Sequence, residues 1–263
     1  MFIQAADDVP PFVGPSIGEF YPPAIFFEGT PFEINRIMII RFLAVIAIVL
    51  IFWLGTRAMK IVPTRFQSGV EMALDFVRVS IVEDLLGKKD GRRFFPLIAT
   101  VFFTILAMNL AGVIPGLNVA GTSVIGVPLL FAIVAYIAFI YAGVKKSPSG
   151  FVRNSLFPAG VPWPLYFLIT PLEFISTFII RPVTLTLRLM MNMIVGHLLL
   201  VLFFTATQWF LLDAPGVFKL FGIGTFAFGF AFTVFELLII LLQAYIFAIL
   251  TTVYIQLALM EEH

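Results

Sequence analysis

The chain has 263 residues, 61% of them apolar and only 12% charged, against about 25% charged in ordinary soluble domains. No soluble fold of this length hides so much apolar surface, so lipid is the solvent for much of it, and the 32 Phe residues suit a lipid-facing exterior. A net charge of +1 provides no basic field for nucleic acid, and the lack of cysteine excludes disulfides, thiolate metal sites and thiol catalysis.

Residues 1–34 carry Asp7, Asp8, Glu19, Glu28 and Glu33 among several prolines. That predicts an acidic, mostly extended lead. It does not read as a signal peptide, because it has neither a positive n-region nor a continuous apolar h-region. The run Ile37–Leu54, broken only by Arg41, is about long enough for one crossing, and Gly55, Arg57, Lys60 and Arg65 end it. Over 66–86 the residues Phe66, Val70, Leu74, Val77, Ile81 and Leu85 recur every three to four positions, with Glu71, Asp75, Arg78 and Glu83 between them. This is an amphipathic helix suited to a membrane surface.

A basic loop at Gly87–Arg93 follows, then uncharged runs at Phe94–Ile114 and Val124–Val144, separated by a turn at Pro115, Gly116 and Asn118. The spacing G112-x-x-x-G116 contains Pro115 and belongs to that turn. Lys145, Lys146 and Arg153 open a Pro-rich loop through Pro158, Pro162 and Pro164. The loops on one side are basic and those on the other are not, which predicts an N-terminus outside and a C-terminus, Glu261, Glu262 and His263, in the cytoplasm.

Leu165–Leu212 is a long apolar stretch holding Glu173, Arg181, Arg188 and His197, and Phe221–Met260 holds one charge, Glu236. As a single helix the second would run about 60 Å, twice the hydrocarbon thickness. Gly222, Gly224 and Gly229 could loosen its start. The expected fold is an all-α polytopic membrane protein in one integral membrane domain over 1–263. It has five crossings plus one amphipathic surface helix, the last two crossings forming a long, strongly tilted antiparallel hairpin joined near Asp213–Gly216. No internal repeat is visible, which weighs against a repeat-built transporter.

A charge at the bilayer centre costs about 2.5–3.5 kcal/mol on insertion scales, so intramembrane ionisable residues are functional candidates. Arg181 and Arg188 are seven residues apart on one helical face, with Thr184 and Asn192 beside them. Arg181, next to Pro182, reads as a snorkelling residue near a helix end, whereas Arg188 lies deeper. His197 points about 180° from Arg188 on an ideal helix. His197 with Glu236 can relay a proton, their reference pKa values bracketing the accessible range, or can be a neutral pair that fixes helix register. Gln243 shares the face of Glu236. Asn109 either lines a polar path or bonds between helices, Thr122 and Ser123 are turn residues, and Glu173 is expected to pair with a neighbouring cation. No phosphate loop, zinc triad or nucleophile elbow is present, so no enzyme activity, cofactor or metal is expected of the chain alone.

The segments RPVTLTLRLMMNMIVGH (Arg181–His197), ELLIILLQAYIFAILTTVYI (Glu236–Ile255) and MNLAGVIPG (Met108–Gly116), with the EEH ending, resemble subunit a of F-type rotary ATP synthase over nearly the whole chain. The resemblance implies a static channel subunit in a bacterial plasma membrane. It would sit beside a rotating ring of c subunits and b-type peripheral stalk subunits, with two offset half-channels carrying protons to and from the ring carboxylates. The family's essential arginine falls on Arg188, its asparagine on Asn192 and its glutamine on Gln243, while His197, Glu236 and Gln243 would line the outward path. Two features depart from some members. The acid and histidine at positions 197 and 236 are exchanged, and Met190-Met191 replaces a Phe-Gly step. The histidine in the path favours H⁺ over Na⁺. A stand-alone secondary transporter with a midplane Arg–Glu–His site, or a structural subunit with polar helix glue, are the alternatives.

A turn at about residue 216 puts His197 and Glu236 19 and 20 residues from it, and Arg188 and Gln243 28 and 27. Each pair should therefore be level. Glu236 is expected within a direct or one-water hydrogen bond of His197, and Gln243 is expected to approach Arg188.

Overall fold

Helix α1 (Arg36–Thr56) begins where the Asn35 side chain accepts the Met38 amide at 3.0 Å, one of the orphan donors of a first helical turn. It buries Ile37, Ile40, Ala44 and Gly55 and exposes Phe42, Leu43, Val49 and Trp53, so most of its surface is open to lipid or to another chain. The structure, a computed structural model, describes residues 11–30, 33–57, 59–148, 150–151 and 165–260. Asp7, Asp8, Arg153, Pro158, Pro162, Pro164 and the Glu261–Glu262–His263 end lie outside the described residues.

Helix α2 (Arg65–Val77) is capped by Thr64, whose hydroxyl accepts the Gln67 amide at 3.3 Å. Of the expected stripe, Val70, Val77 and Ile81 are buried and Leu74 and Leu85 half-buried, while Phe66 is exposed at the start of the helix; Ile81 and Val82 carry the inner face through a π-helical segment at Arg78–Glu83. Arg78 Nε donates to Glu83 Oε1 at 2.8 Å on the polar side. Helix α3 (Asp84–Leu110) follows without the loop expected at Gly87–Arg93. The break is confined to Gly87, at φ 71° and ψ 171°, a conformation that a residue with a Cβ does not hold. The crossing ends at Leu110 rather than Ile114, and turns with Gly116 (φ 95°) and Asn118 (φ 50°) fill the interval to α4 (Gly126–Lys146).

Helix α5 (Tyr166–Ile175), a π-helical segment at Ser176–Ile180 and helix α6 (Arg181–Leu212) form one apolar run. The widened turn lies just ahead of Pro182, whose ring and missing amide disturb the regular ladder there. Helix α7 (Lys219–Leu259) is unbroken. The expected loosening at its glycines is not found. Gly222 instead admits Leu211 at 2.6 Å, a distance no Cβ would leave open, and Gly229 packs tightly against Phe203 and Phe204. Thr207–Thr225, Gly196–Glu236 and Asn192–Gln243 are successive contacts that step in opposite directions along the two helices about Gly216. The hairpin is therefore antiparallel, as expected.

Five helical runs among the described residues are long and apolar enough to cross a membrane: Arg36–Thr56, Arg65–Leu110, Gly126–Lys146, Tyr166–Leu212 and Gly216–Leu259. The protein is an all-α polytopic membrane protein. Its core lies where α3, α4, α6 and α7 meet, around Ile98, Ile105, Leu189, Phe247 and Ile255. Ala132, Ala135, Ala138 and Ala142 line the inner face of α4, and small side chains of this kind let helix backbones approach closely in lipid, where no hydrophobic effect draws helices together. Lys146 Nζ donates to the Leu259 carbonyl at 2.6 Å, tying the basic end of α4 to the C-terminal end of α7.

The N-terminal lead is more structured than a simple extended segment. A single 3₁₀ turn (Ile17–Phe20) precedes β1 (Ala24–Phe26), which pairs antiparallel with β2 (Ile34–Asn35). Phe20 is buried among Ile37, Ile40, Ala111 and Val119. One aromatic anchor thus packs the lead against α1 and the α3–α4 turn.

Candidate functional site

The polar residues of the hairpin divide between two faces of α6. Thr184, Arg188, Met191 and Val195 form an exposed stripe at helical spacing. Arg188 is the only charge on it, and no hydrogen bond or ion pair joins its guanidinium to another described residue. The opposite face is buried and includes Leu189, Met193, Gly196, His197 and Leu200. Asn192 stands at the boundary, half-buried, and its Nδ2 donates to Gln243 Oε1 of α7 at 2.9 Å. Gln243 therefore pairs with Asn192 and not with Arg188, as had been expected. Asn192 lies one helical turn nearer the connection than Arg188 on α6, so the level expected for Gln243 is off by about one turn.

Glu236 is 3% exposed, and its Oε2 has no hydrogen-bond partner among protein atoms. It lies against Gly196. A Cβ built on Gly196 would stand 2.9 Å from Glu236 Oε1. The carboxyl group is thus level with His197, as the distances from the turn require. Of the direct or one-water hydrogen bond expected between the two, the direct form is absent, because position 196 faces α7 and His197 is turned about 100° further round α6. His197 Nε2 instead stands 3.7 Å from Glu19 Oε2 of the N-terminal turn. The Phe20 ring meets the imidazole edge-on at 5.3 Å between centroids.

A second polar group surrounds the α3–α4 turn. Asn109, fully buried, accepts a hydrogen bond at Oδ1 from the Thr122 hydroxyl, while its Nδ2 has no protein partner. Ser123 donates to the Ala120 carbonyl at 2.7 Å and is a turn residue, as read from sequence. Arg41 of α1 donates from Nε to the Gly121 carbonyl at 2.8 Å, and its buried Nη2 is unpaired. Arg36 donates to the Gly116 and Leu117 carbonyls at 2.9 and 2.8 Å. Ala120 packs with Met193 of α6 and Ile240 of α7, so this turn sits at the depth of Glu236. Unpaired buried polar atoms on Asn109, Arg41 and Glu236 at one depth mark a polar interior, since each is costly where it finds no partner.

Two sequence expectations fare differently. Arg181 holds its guanidinium 5.6 Å from the Tyr254 ring centroid, so the side chain is occupied by α7. Glu173 is half-buried and forms no ion pair among the described residues, contrary to expectation. The arginine two turns along is already engaged by Tyr254. Sequence reading did not single out Glu19, Arg36 or Arg41 as site residues. Arg41 was visible as the one charge in an apolar run. Nothing local pointed to Glu19, whose partner lies 178 residues away.

A family model described as the ATP synthase A chain matches residues 38–256. The chain is similar to a Rhodococcus erythropolis protein named ATP synthase subunit a, at 49% identity over 98% of this chain and 94% of that one. It is 37% identical to a Frankia alni protein of the same name, over 93% of this chain and 85% of that one. A Streptomyces lividans protein, also so named, is 37% identical over 87% of this chain and 81% of that one.

Proposed function

Because the chain belongs to the ATP synthase A chain family, we propose that it is the static proton-conducting subunit of an ATP synthase membrane sector in a bacterial plasma membrane. Its partners are a rotating ring of c subunits and the b-type peripheral stalk. The chain contributes no ATP site. Its N-terminus lies outside and its C-terminus in the cytoplasm.

Arg188 carries the reading. An exposed guanidinium without a partner among the described residues, on an otherwise uncharged face of a membrane helix, is costly in lipid and is stabilised by a carboxylate brought to it by another chain. Arginine stays protonated at any relevant pH, so opposite Arg188 a ring carboxylate is held ionised. The same fixed charge repels a proton that would cross directly from one half-channel to the other. The outward half-channel runs through the polar interior bounded by His197, Glu236, Asn109, Asn192 and Gln243. A proton taken from outside reaches the ring beside Arg188, travels round with rotation and leaves by the second, offset half-channel.

ATP-driven pumping into inverted membrane vesicles tests this. Arg188→Ala should abolish pumping while the complex still copurifies with its ring. Arg188→Lys should also fail, because a compact ammonium does not reproduce the delocalised fork and loses its proton more readily when desolvated. Arg181→Ala, which removes a contact to Tyr254, should be much milder. Normal pumping in either Arg188 variant sinks the assigned role.

A further inference from the structure

We propose that Glu19, on the N-terminal segment, is the outermost proton-carrying group of the outward half-channel and hands protons to His197. The inference rests on the half-channel reading above and extends it to a residue outside the membrane helices. Three features of the geometry support it. Glu19 Oε1 accepts the Ser16 amide at 3.3 Å, which fixes the carboxylate and leaves Oε2 turned toward His197 Nε2 at 3.7 Å. The Glu19 side chain is 39% exposed and the His197 side chain only 7%, so the pair spans the boundary between solvent and the buried path. Phe20, 2% exposed, is wedged beside the imidazole and into the cluster of Ile37, Ile40, Ala111 and Val119. Phe20 thus closes the apolar side of the opening and holds the Glu19 backbone in register.

The charges acting on His197 are Glu19 from the N-terminal turn and Arg36 from α1, and Glu236 of α7 stands against the adjacent Gly196. Arg36 is committed to the Gly116 and Leu117 carbonyls and cannot carry a proton onward. Glu19 is then the group that takes a proton from water. Closing from 3.7 Å, its O–H gives a proton to Nε2 of the neutral imidazole, and the resulting imidazolium releases the proton on Nδ1 into the polar interior that holds Glu236. Tautomerisation of the neutral imidazole through water, moving the remaining proton from Nε2 to Nδ1, restores the acceptor nitrogen facing Glu19, so each cycle moves one proton inward and leaves both groups as they began.

The experiment exploits the lack of cysteine in this chain. Glu19→Cys is assembled into the whole complex, alkylated in detergent with iodoacetate or with iodoacetamide, and reconstituted with the catalytic head outward. The lumen is then the extracytoplasmic side, and ATP synthesis under an imposed proton gradient reads uptake there. The unsubstituted complex, treated identically, controls for thiols elsewhere. The neutral carbamidomethyl form should be slower by about tenfold or more at neutral lumenal pH, at or below the usual contribution of a positioned acid–base group. Its deficit should shrink in an acid lumen, and lumenal imidazole should restore it. The carboxymethyl form, with a carboxylate one atom further out, should recover most of the rate. Equal rates for the two alkylated forms, or a loss that neither pH nor imidazole alters, overturn the proposal in favour of a structural contact. His197→Ala separates the two levels of argument. If it is slow while both Glu19 forms run normally, only the role of Glu19 fails. If it runs at the unsubstituted rate, the half-channel reading fails with it.

Discussion

Gly196→Ala is the sharpest perturbation the structure offers, because it adds one methyl group at the point where α6 meets the buried carboxylate of α7. The new Cβ would lie 2.9 Å from Glu236 Oε1 and 3.3 Å from its Cδ, roughly 0.6 Å or more inside ordinary contact. Overpacking of this kind costs about 1–3 kcal/mol. Replacing a mid-helix glycine by alanine returns about 1 kcal/mol. The net cost is between zero and about 2 kcal/mol, so the variant should assemble. The methyl is accommodated by displacing the carboxyl group by about half an ångström or more, away from the α6 face on which the path depends. A misplacement of about 1 Å costs on the order of a hundredfold where geometry sets a rate. A roughly tenfold fall in proton flow is therefore expected. Passive proton uptake into vesicles stripped of the catalytic head, driven by a potassium diffusion potential, measures it. Glu236→Asp draws the carboxyl back by one methylene, so the double variant Gly196→Ala/Glu236→Asp should conduct better than Gly196→Ala alone. Conduction by Gly196→Ala at the unsubstituted rate, or a double variant worse than either single one, would refute the reasoning.

The Asn192–Gln243 bond should behave as a coupled pair. Asn192→Leu or Gln243→Leu leaves a buried partner unsatisfied, at about 1–3 kcal/mol each, and the double variant should cost less than the two together in a thermal-unfolding cycle of the detergent-solubilised complex; strict additivity would mean that the bond contributes nothing. Topology is testable in the same cysteine-free chain, where Glu28→Cys and Met260→Cys should label from opposite sides of the membrane. Labelling of both from one side would contradict five crossings.

Much of the architecture was legible in the sequence because lipid imposes a simple rule. Every backbone polar group must be satisfied within its own helix, so apolar runs of sufficient length become helices wherever they occur. The α1 and α4 boundaries to within two residues, the buried positions Val70, Val77 and Ile81 and the length of α7 follow from composition and spacing alone. The level of Glu236 beside positions 196–197 was also readable, since antiparallel helices joined at one turn match residues by their distance from it. Which side chain at a given level faces its neighbour was not readable. Packing rotates each helix about its axis, and a single residue's step is about 100°. That rotation puts Gly196 rather than His197 against Glu236, whereas Gln243 meets Asn192 one turn along the same side of α6 from Arg188. It leaves Arg188 on the exposed side of α6. The approach of Glu19 to His197 was beyond the sequence for a different reason. It depends on where a segment outside the membrane folds back, and Phe20, buried among residues of α1 and the α3–α4 turn, and Phe12, edge-on to Trp209 of α6, hold it there.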